Sequence, residues 1–325
     1  MLYLEHNPAA LKYHTELMRC WLLIKIKGRK GPTYKHGHQC GISTCPICSV
    51  DRHIDNKIPK AFKTFLLKKK NLETLISGRP NDLRLLNLRY KKLGLSQADR
   101  KAVKKFFVDT AYTNWYQPEH SMGLLKLINK NTCLYCNRNY SRTIQDLNGK
   151  KVISAEIDHW FVKEKFPILA VSFYNLIPSC HSCNSSIKGN PNIKWDRALR
   201  NYVHPYQEEK KQDFKFSYIH KSKKEYNVKI EVVSNSKIAN TLKLFKIEEI
   251  YDSHSDLELR DLLDLRHKYS ENYIDMLVNK TFKGIMDPED IYRYIFGIES
   301  TKADYHKRSL SKFKYDIIQE LLKIK

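Results

Sequence analysis

Apolar residues recur at helical spacing along much of this chain, interrupted by one polar, strand-like stretch in the middle. The first apolar segment lies within ELMRCWLLIKIKGRKGP (residues 16–32) and ends in a basic Gly/Pro turn. A knot rich in His and Cys follows, HGHQCGISTCPICSVDRH (36–53). Between 54 and 130 the spacing predicts helices in AFKTFLLKKKNLETLISG, DLRLLNLRYKKLG and SQADRKAVKKFFVDTAY. The last of these opens with Ser96 followed by Asp99, an N-cap signature. From 131 to 190 short apolar runs and turns replace the helical pattern, and KVISAEIDH (151–159) alternates as one strand would. FKFSYI and YNVKIEVV are two further strands, and their polar link HKSKKE suits a hairpin. Helical spacing returns from Ser236 and closes in the amphipathic LSKFKYDIIQELLKIK.

These patterns predict an α+β protein of four parts. They are an N-terminal segment with a candidate metal knot (1–53), a basic helical module (54–130), a central module (131–195) and a hairpin with a helical C-terminal module (196–325). No internal repeat or low-complexity segment occurs. No apolar run approaches the roughly 18 residues of a membrane span, and MLYLEHNPAALKYH lacks the basic-then-apolar order of a secretory signal. The expectation is a cytoplasmic protein without membrane association.

Charge sharpens this picture. The net charge is +23 over 325 residues. Residues 1–130 carry 25 basic and 9 acidic side chains, residues 131–250 carry 20 and 12, and residues 251–325 carry 13 and 14. The excess lies in the first two-thirds, as expected where those parts face a polyanion. Lys68, Lys69 and Lys70 are candidate backbone contacts to nucleic acid. A merely solvated basic face is the competing reading.

Six of eight cysteines stand in C-x2-C pairs: Cys45/Cys48, Cys133/Cys136 and Cys180/Cys183. In a reducing compartment that spacing points to metal rather than disulfides. Cys133, Cys136, Cys180 and Cys183 form two thiolate turns separated by 43 residues, the usual construction of a tetrahedral structural Zn2+ site. Cys40, Cys45, Cys48 and His53 are candidates for a second zinc, with His36 or His38 as alternative fourth ligands and a metal-free loop as the rival reading. Cys20, inside CWLLIKI, reads as a small buried hydrophobe.

Between the two C-x2-C turns stand Asp158-His159, then Asn175 sixteen positions on, with Asn184 nine further and directly after Cys183. Imidazole, with an unperturbed pKa near 6.5, is suited to take a proton from water at neutral pH, which makes His159 the candidate general base. This order of residues resembles the HNH, or His-Me finger, nucleases, and within them the zinc-stapled branch that includes McrA-like enzymes. The resemblance covers residues 133–190 and implies a ββα-metal core, flanked here by helical modules. It implies that Asp158 and Asn184 hold one catalytic Mg2+ or Mn2+, and that Asn175 braces the loop and orients the histidine. Lys188, one helical turn beyond Asn184, fits a phosphate contact. Glu156 shares a strand face with Asp158 and suits a structural hydrogen bond; His181 is expected to face solvent. Val162 stands where relatives often carry proline.

A weaker resemblance, carried by FYNLIPSCHSCNSSIKGN, LFKIEEIYDSH and IFGIES...HKRSLSKFKYDII, is to the HNH component of two-gene Septu-type phage-defence systems, relatives of which accompany some retrons. It implies an antiviral role and a partner ATPase of SMC-like or ABC type. The function expected is a metal-dependent endonuclease acting on DNA. A ribonuclease acting on tRNA or another structured RNA, and a non-catalytic zinc-dependent nucleic-acid-binding module, are its rivals.

Overall fold

The computed structural model describes residues 3–42, 45–50, 54–188, 197–207, 213–222, 225–268, 276, 280–281 and 285–323. It is α+β and divides into two compact units. A helical unit comprises 5–129 and 157–177; a mixed unit comprises 1–4, 130–156 and 178–325. The stretch 131–195 thus contributes to both.

The helical unit opens with α1 (Pro8–Lys27), where Asn7 caps the helix by accepting from the Ala10 N–H and proline occupies the first turn. Beyond the short α2 (Pro46–Val50), α3 (Lys60–Leu67), α4 (Lys69–Ser77), α5 (Pro80–Lys91) and α6 (Gln97–Lys104) occupy the region of helical spacing. The Ser96 signature is a full capping box: the Ser96 hydroxyl accepts from the Asp99 N–H while the Asp99 carboxylate accepts from the Ser96 N–H. The chain continues through a π-helical stretch, Lys105–His120, into α7 (Ser121–Ile128). The wide turn is visible where the Thr113 hydroxyl donates to the Val108 carbonyl, five residues back. Phe62, Phe106, Phe107, Tyr116 and Trp21 are buried together, with Phe62 edge-on to Phe107 and Trp21 stacked on Phe106.

The predicted single strand KVISAEIDH is two strands. The turn at Ser154-Ala155 separates β2 (Lys151–Ile153), which pairs with β1 (Ile144–Gln145), from β3 (Glu156–His159), which pairs with β4 (Leu176–Ser179). The side chains of β2 are all exposed, whereas Ile157 to His159 are buried, so the alternation of 151–159 spans two environments. Ile157–His159 and Leu176–Ile177 lie in the helical unit.

In the mixed unit, α8 (Ala198–Asn201) precedes the expected hairpin, β5 (Phe214–Ser222) with β6 (Glu225–Val232). The register pairs Phe216 with Ile230 and Tyr218 with Val228, and the ladder runs into the polar link as far as Ser222 opposite Glu225. Then come α9 (Lys237–Leu244), α10 (Ile247–Asp252), α11 (Arg260–Lys268), α12 (Pro288–Phe296) and α13 (Ser311–Lys323). Helix α13 lies on β5 and α10 on β6. Phe216, Tyr251 and Phe313 meet at this junction, and Tyr135 stacks on Phe245 with centroids 4.1 Å apart. Among the described residues no helix is long and apolar enough to cross a membrane.

Asn137, directly after Cys136, ties this unit together. Its backbone is left-handed, with φ +51°, a conformation asparagine tolerates better than most residues. Its amide donates to the Tyr305 carbonyl (2.7 Å), the Arg308 carbonyl (3.2 Å) and the Thr132 hydroxyl (2.9 Å), and its backbone carbonyl accepts from the Leu310 N–H (2.8 Å). Asn137→Ala is expected to destabilise the protein by about 2–4 kcal/mol, because it leaves the buried Tyr305 carbonyl and the Arg308 carbonyl without their donor and removes the polar side chain that eases a left-handed backbone. Urea denaturation checks this; a change below about 0.5 kcal/mol, the range of ordinary surface substitutions, contradicts it.

Candidate metal centres and catalytic residues

Cys133, Cys136, Cys180 and Cys183 all belong to the mixed unit and are buried free thiols. Their four sulphurs lie within 4.8 Å of one another. Each pair sits on a tight turn: the Asn137 N–H bonds the Cys133 carbonyl at 2.8 Å, and the Asn184 N–H bonds the Cys180 carbonyl at 3.0 Å. Zinc with Zn–S bonds of about 2.3 Å in a tetrahedron needs sulphurs roughly 3.8 Å apart, so the cluster fits that ion. Hydrogen bonds from the neighbouring thiols pull Cys180 and Cys136 below the usual thiol range, while burial pushes Cys133 up and the shared hydrogen bonds push Cys183 up. The Tyr251 hydroxyl donates to the Cys136 carbonyl at 2.6 Å, tying the first turn to α10.

A second cluster lies in the helical unit, and its membership differs from the sequence expectation. Cys40, Cys45 and Cys48 are joined by Cys20, again with all sulphurs within 4.8 Å. Cys20 is therefore not merely a small hydrophobe filling α1. His53 lies outside the described residues. His38 does reach the cluster, with Nε2 3.4 Å from the Cys20 sulphur. Either cluster could hold zinc.

Asp158 and His159 end β3 in the helical unit and are 3% and 7% exposed. His159 Nε2 lies 2.9 Å from the Ala170 carbonyl. A carbonyl only accepts, so this contact puts the imidazole proton on Nε2 and the lone pair on Nδ1. Tyr112 packs edge-on against the ring at 4.3 Å, and the Lys163 ammonium lies over Tyr112. Asn175, wholly buried, clamps the loop that leaves His159. Its Oδ1 accepts from the Phe161 N–H (2.6 Å), its amide donates to the carbonyls of Phe161 (3.1 Å) and Leu169 (2.8 Å), and its own carbonyl accepts from the Trp160 N–H (3.0 Å). The residues it holds adjoin Ala170, whose carbonyl orients the histidine.

Asn184 lies in the mixed unit, on the short π-helical turn Ser182–Ile187. Its amide donates to Glu156 Oε2 at 2.9 Å, while Glu156 Oε1 accepts from His181 Nδ1 at 2.6 Å. His181 is largely exposed, as expected, yet it is also paired. Glu156 makes the structural hydrogen bond its place on the strand suggested, with Asn184 as the partner. Lys188 departs from its expected role. It is only 5% exposed, and its charge, after burial itself, is what depresses the buried His204, so it is not displayed to a phosphate on the surface. Lys68, Lys69 and Lys70 are exposed where α3 passes into α4.

Sequence reading missed Cys20 as a cluster member and Glu156 as the partner of Asn184. The first carried one signal: eight cysteines are two sets of four. The second carried none, because Glu156 and Asn184 are 28 positions apart.

No family profile matches the chain, and no solved structure matches it. Among curated proteins it is similar to the Septu protein PtuB of Bacillus thuringiensis, with 32% identity over 88 residues. That stretch is 27% of this chain, and the match spans 30% of the length of the relative. Over that stretch, the chain is similar to a Septu protein.

Proposed function

We propose that this protein is a metal-dependent HNH endonuclease that hydrolyses phosphodiester bonds in DNA, as the effector of an antiphage defence system. The observation that carries the reading is the setting of His159: an imidazole at a strand end, with one nitrogen committed to the Ala170 carbonyl and its loop clamped by Asn175. A binding module has no need of an imidazole held in one tautomer. The similarity to a Septu protein supports the defence role and a partner from the same system; in this reading that partner is an ATPase of SMC-like or ABC type. In this reading β3, β4 and the Ser182–Ile187 turn are the successive parts of a ββα-metal core.

His159 Nδ1 takes a proton from water, and the resulting hydroxide attacks phosphorus as the bond to the leaving oxygen breaks. The Ala170 carbonyl stabilises the imidazolium so formed through the Nε2–H bond. By the resemblance of residues 133–190, Asp158 and Asn184 are the residues that would hold Mg2+ or Mn2+, a carboxylate and an amide oxygen both being hard donors. When bound, that ion neutralises charge on the phosphate and on the leaving oxygen. Glu156 holds the Asn184 amide nitrogen and so sets which way its oxygen points. Zinc held by Cys133, Cys136, Cys180 and Cys183 would be structural, because four thiolate ligands would leave no position for substrate or water.

His159→Ala is expected to lower cleavage of plasmid and phage DNA about 100- to 10,000-fold, with zinc content and nucleic-acid affinity unchanged. Assays with Mg2+ and Mn2+, with and without any co-purifying ATPase and with total tRNA as a parallel substrate, check this. Equal rates for variant and wild type defeat the mechanism, and cleavage confined to tRNA transfers it to RNA.

Cys133→Ser should yield insoluble or molten protein, since structural zinc contributes roughly 10 kcal/mol or more to folding. A soluble, active variant lacking that zinc argues against the site. Charge reversal at Lys68, Lys69 and Lys70 should weaken DNA binding and flatten its dependence on salt; an unchanged slope marks these lysines as a solvated face.

A further inference from the structure

The second sulphur cluster joins the interior of α1 to Cys40, Cys45 and α2, and its sulphur spacing suits a tetrahedral ion. The Cys40 and Cys48 sulphurs are 3.5 Å apart and those of Cys20 and Cys45 3.9 Å. A tetrahedron with bonds of about 2.3 Å has edges of roughly 3.8 Å, whereas a disulfide would close to about 2.05 Å. Hydrophobic packing does not explain the grouping. Cys40 is partly exposed, and neutral thiols gain little by meeting one another. The N–H groups of Ile47 and Cys48 turn toward the Cys45 sulphur, the arrangement by which a C-x2-C turn holds a thiolate.

The preceding chain is shaped to deliver these ligands. Helix α1 stops at Gly28, whose φ is +78°. The His38 N–H then bonds the Gly28 carbonyl at 2.7 Å and the Lys30 N–H bonds the His38 carbonyl at 3.0 Å, so the loop doubles back. The return is tight enough that a Cβ on Gly37 would meet the backbone of Arg29 and Lys30 at 2.6 Å, which requires glycine there. It brings His38 and Cys40 back beside Cys20 on α1.

We infer that Cys20, Cys40, Cys45 and Cys48 form a second, closed four-thiolate zinc site, with His38 Nε2 as a hydrogen-bond donor to the Cys20 sulphur. Four soft thiolates in a tetrahedron select zinc among the available divalent ions. The complex carries a net charge of −2, and the positive side chains of Arg19 and Lys27, close enough to act on His38, offset it. With no position left for water or substrate the ion is structural, pinning the middle of α1 to Cys40, to Cys45 and to Cys48 on α2. The site is independent of any nuclease activity, since none of its ligands is a residue assigned to catalysis.

Elemental analysis of the purified protein should find two zinc ions per chain. Cys20→Ser should bind one, while His53→Ala should still bind two. His38→Ala should also bind two but release one of them to a chelator with about 10- to 100-fold weaker retention, the effect of losing a hydrogen bond to a ligand. If Cys20→Ser does not fold, alkylation of the native wild type decides: Cys40, partly exposed, should resist iodoacetamide until a chelator is added. One zinc per chain with Cys40 freely alkylated, two zinc ions in soluble Cys20→Ser, loss of one in His53→Ala, or iron in place of the second zinc would each overturn the assignment.

Discussion

Cysteine clusters that close long stretches of chain are the constraint on which the rest of this structure depends. Bringing Cys133/Cys136 to Cys180/Cys183 closes 43 intervening residues, which costs roughly 3 kcal/mol of chain entropy beyond a constant term. Zinc, which the four sulphurs could hold, would at roughly 10 kcal/mol or more outweigh that cost. The closure matters because of what lies inside it. Residues 157–177 leave the mixed unit and join the core of the helical unit, carrying Asp158, His159 and Asn175 with them.

Around the first cluster, polar contacts do what apolar packing could not. Asn137 follows Cys136 in a left-handed turn and bonds the segment of residues 305–312, while Tyr251 bonds the Cys136 carbonyl. The cysteine turn is thereby linked to α10 and to the start of α13, elements more than a hundred positions away in sequence. A buried unmade hydrogen bond costs more than a made one contributes, so each of these contacts penalises alternative arrangements. The loop from His159 to Asn175 follows the same logic. Its only regular elements are two one-turn 3-10 helices, and a single wholly buried asparagine satisfies four backbone groups that a longer element would otherwise have paired.

Features written in local periodicity are legible in the amino-acid sequence itself. The helices between 54 and 130, the Ser96 cap, the β5–β6 hairpin and the terminal amphipathic helix all rest on spacing within about ten residues. The C-x2-C turns are equally readable, because the two cysteines of each turn are only three positions apart. Alternation fails at KVISAEIDH, where the pattern persists across Ser154-Ala155 although the two halves pair with different strands. Alternation records which residues face a core; it does not record which partner supplies it.

The sequence by itself therefore determined an α+β chain, a basic helical region, a four-cysteine cluster that could hold zinc and a set of candidate residues for catalysis. Tertiary structure decided how distant groups are used. Cys20 in an apolar helix has the pattern of a core residue, because a buried ligand and a buried hydrophobe need the same local surroundings; only the fold brings Cys40, Cys45 and Cys48 to it. Lys188 stands one turn from Asn184 in sequence, yet it is packed inside the mixed unit beside His204, and only packing could withdraw it from the surface. The proton on His159 depends on the carbonyl of Ala170, eleven residues away across a loop with no repeating pattern. Local sequence encodes periodicity and ligand chemistry, whereas contacts between distant segments arise only when the whole chain closes on its cores.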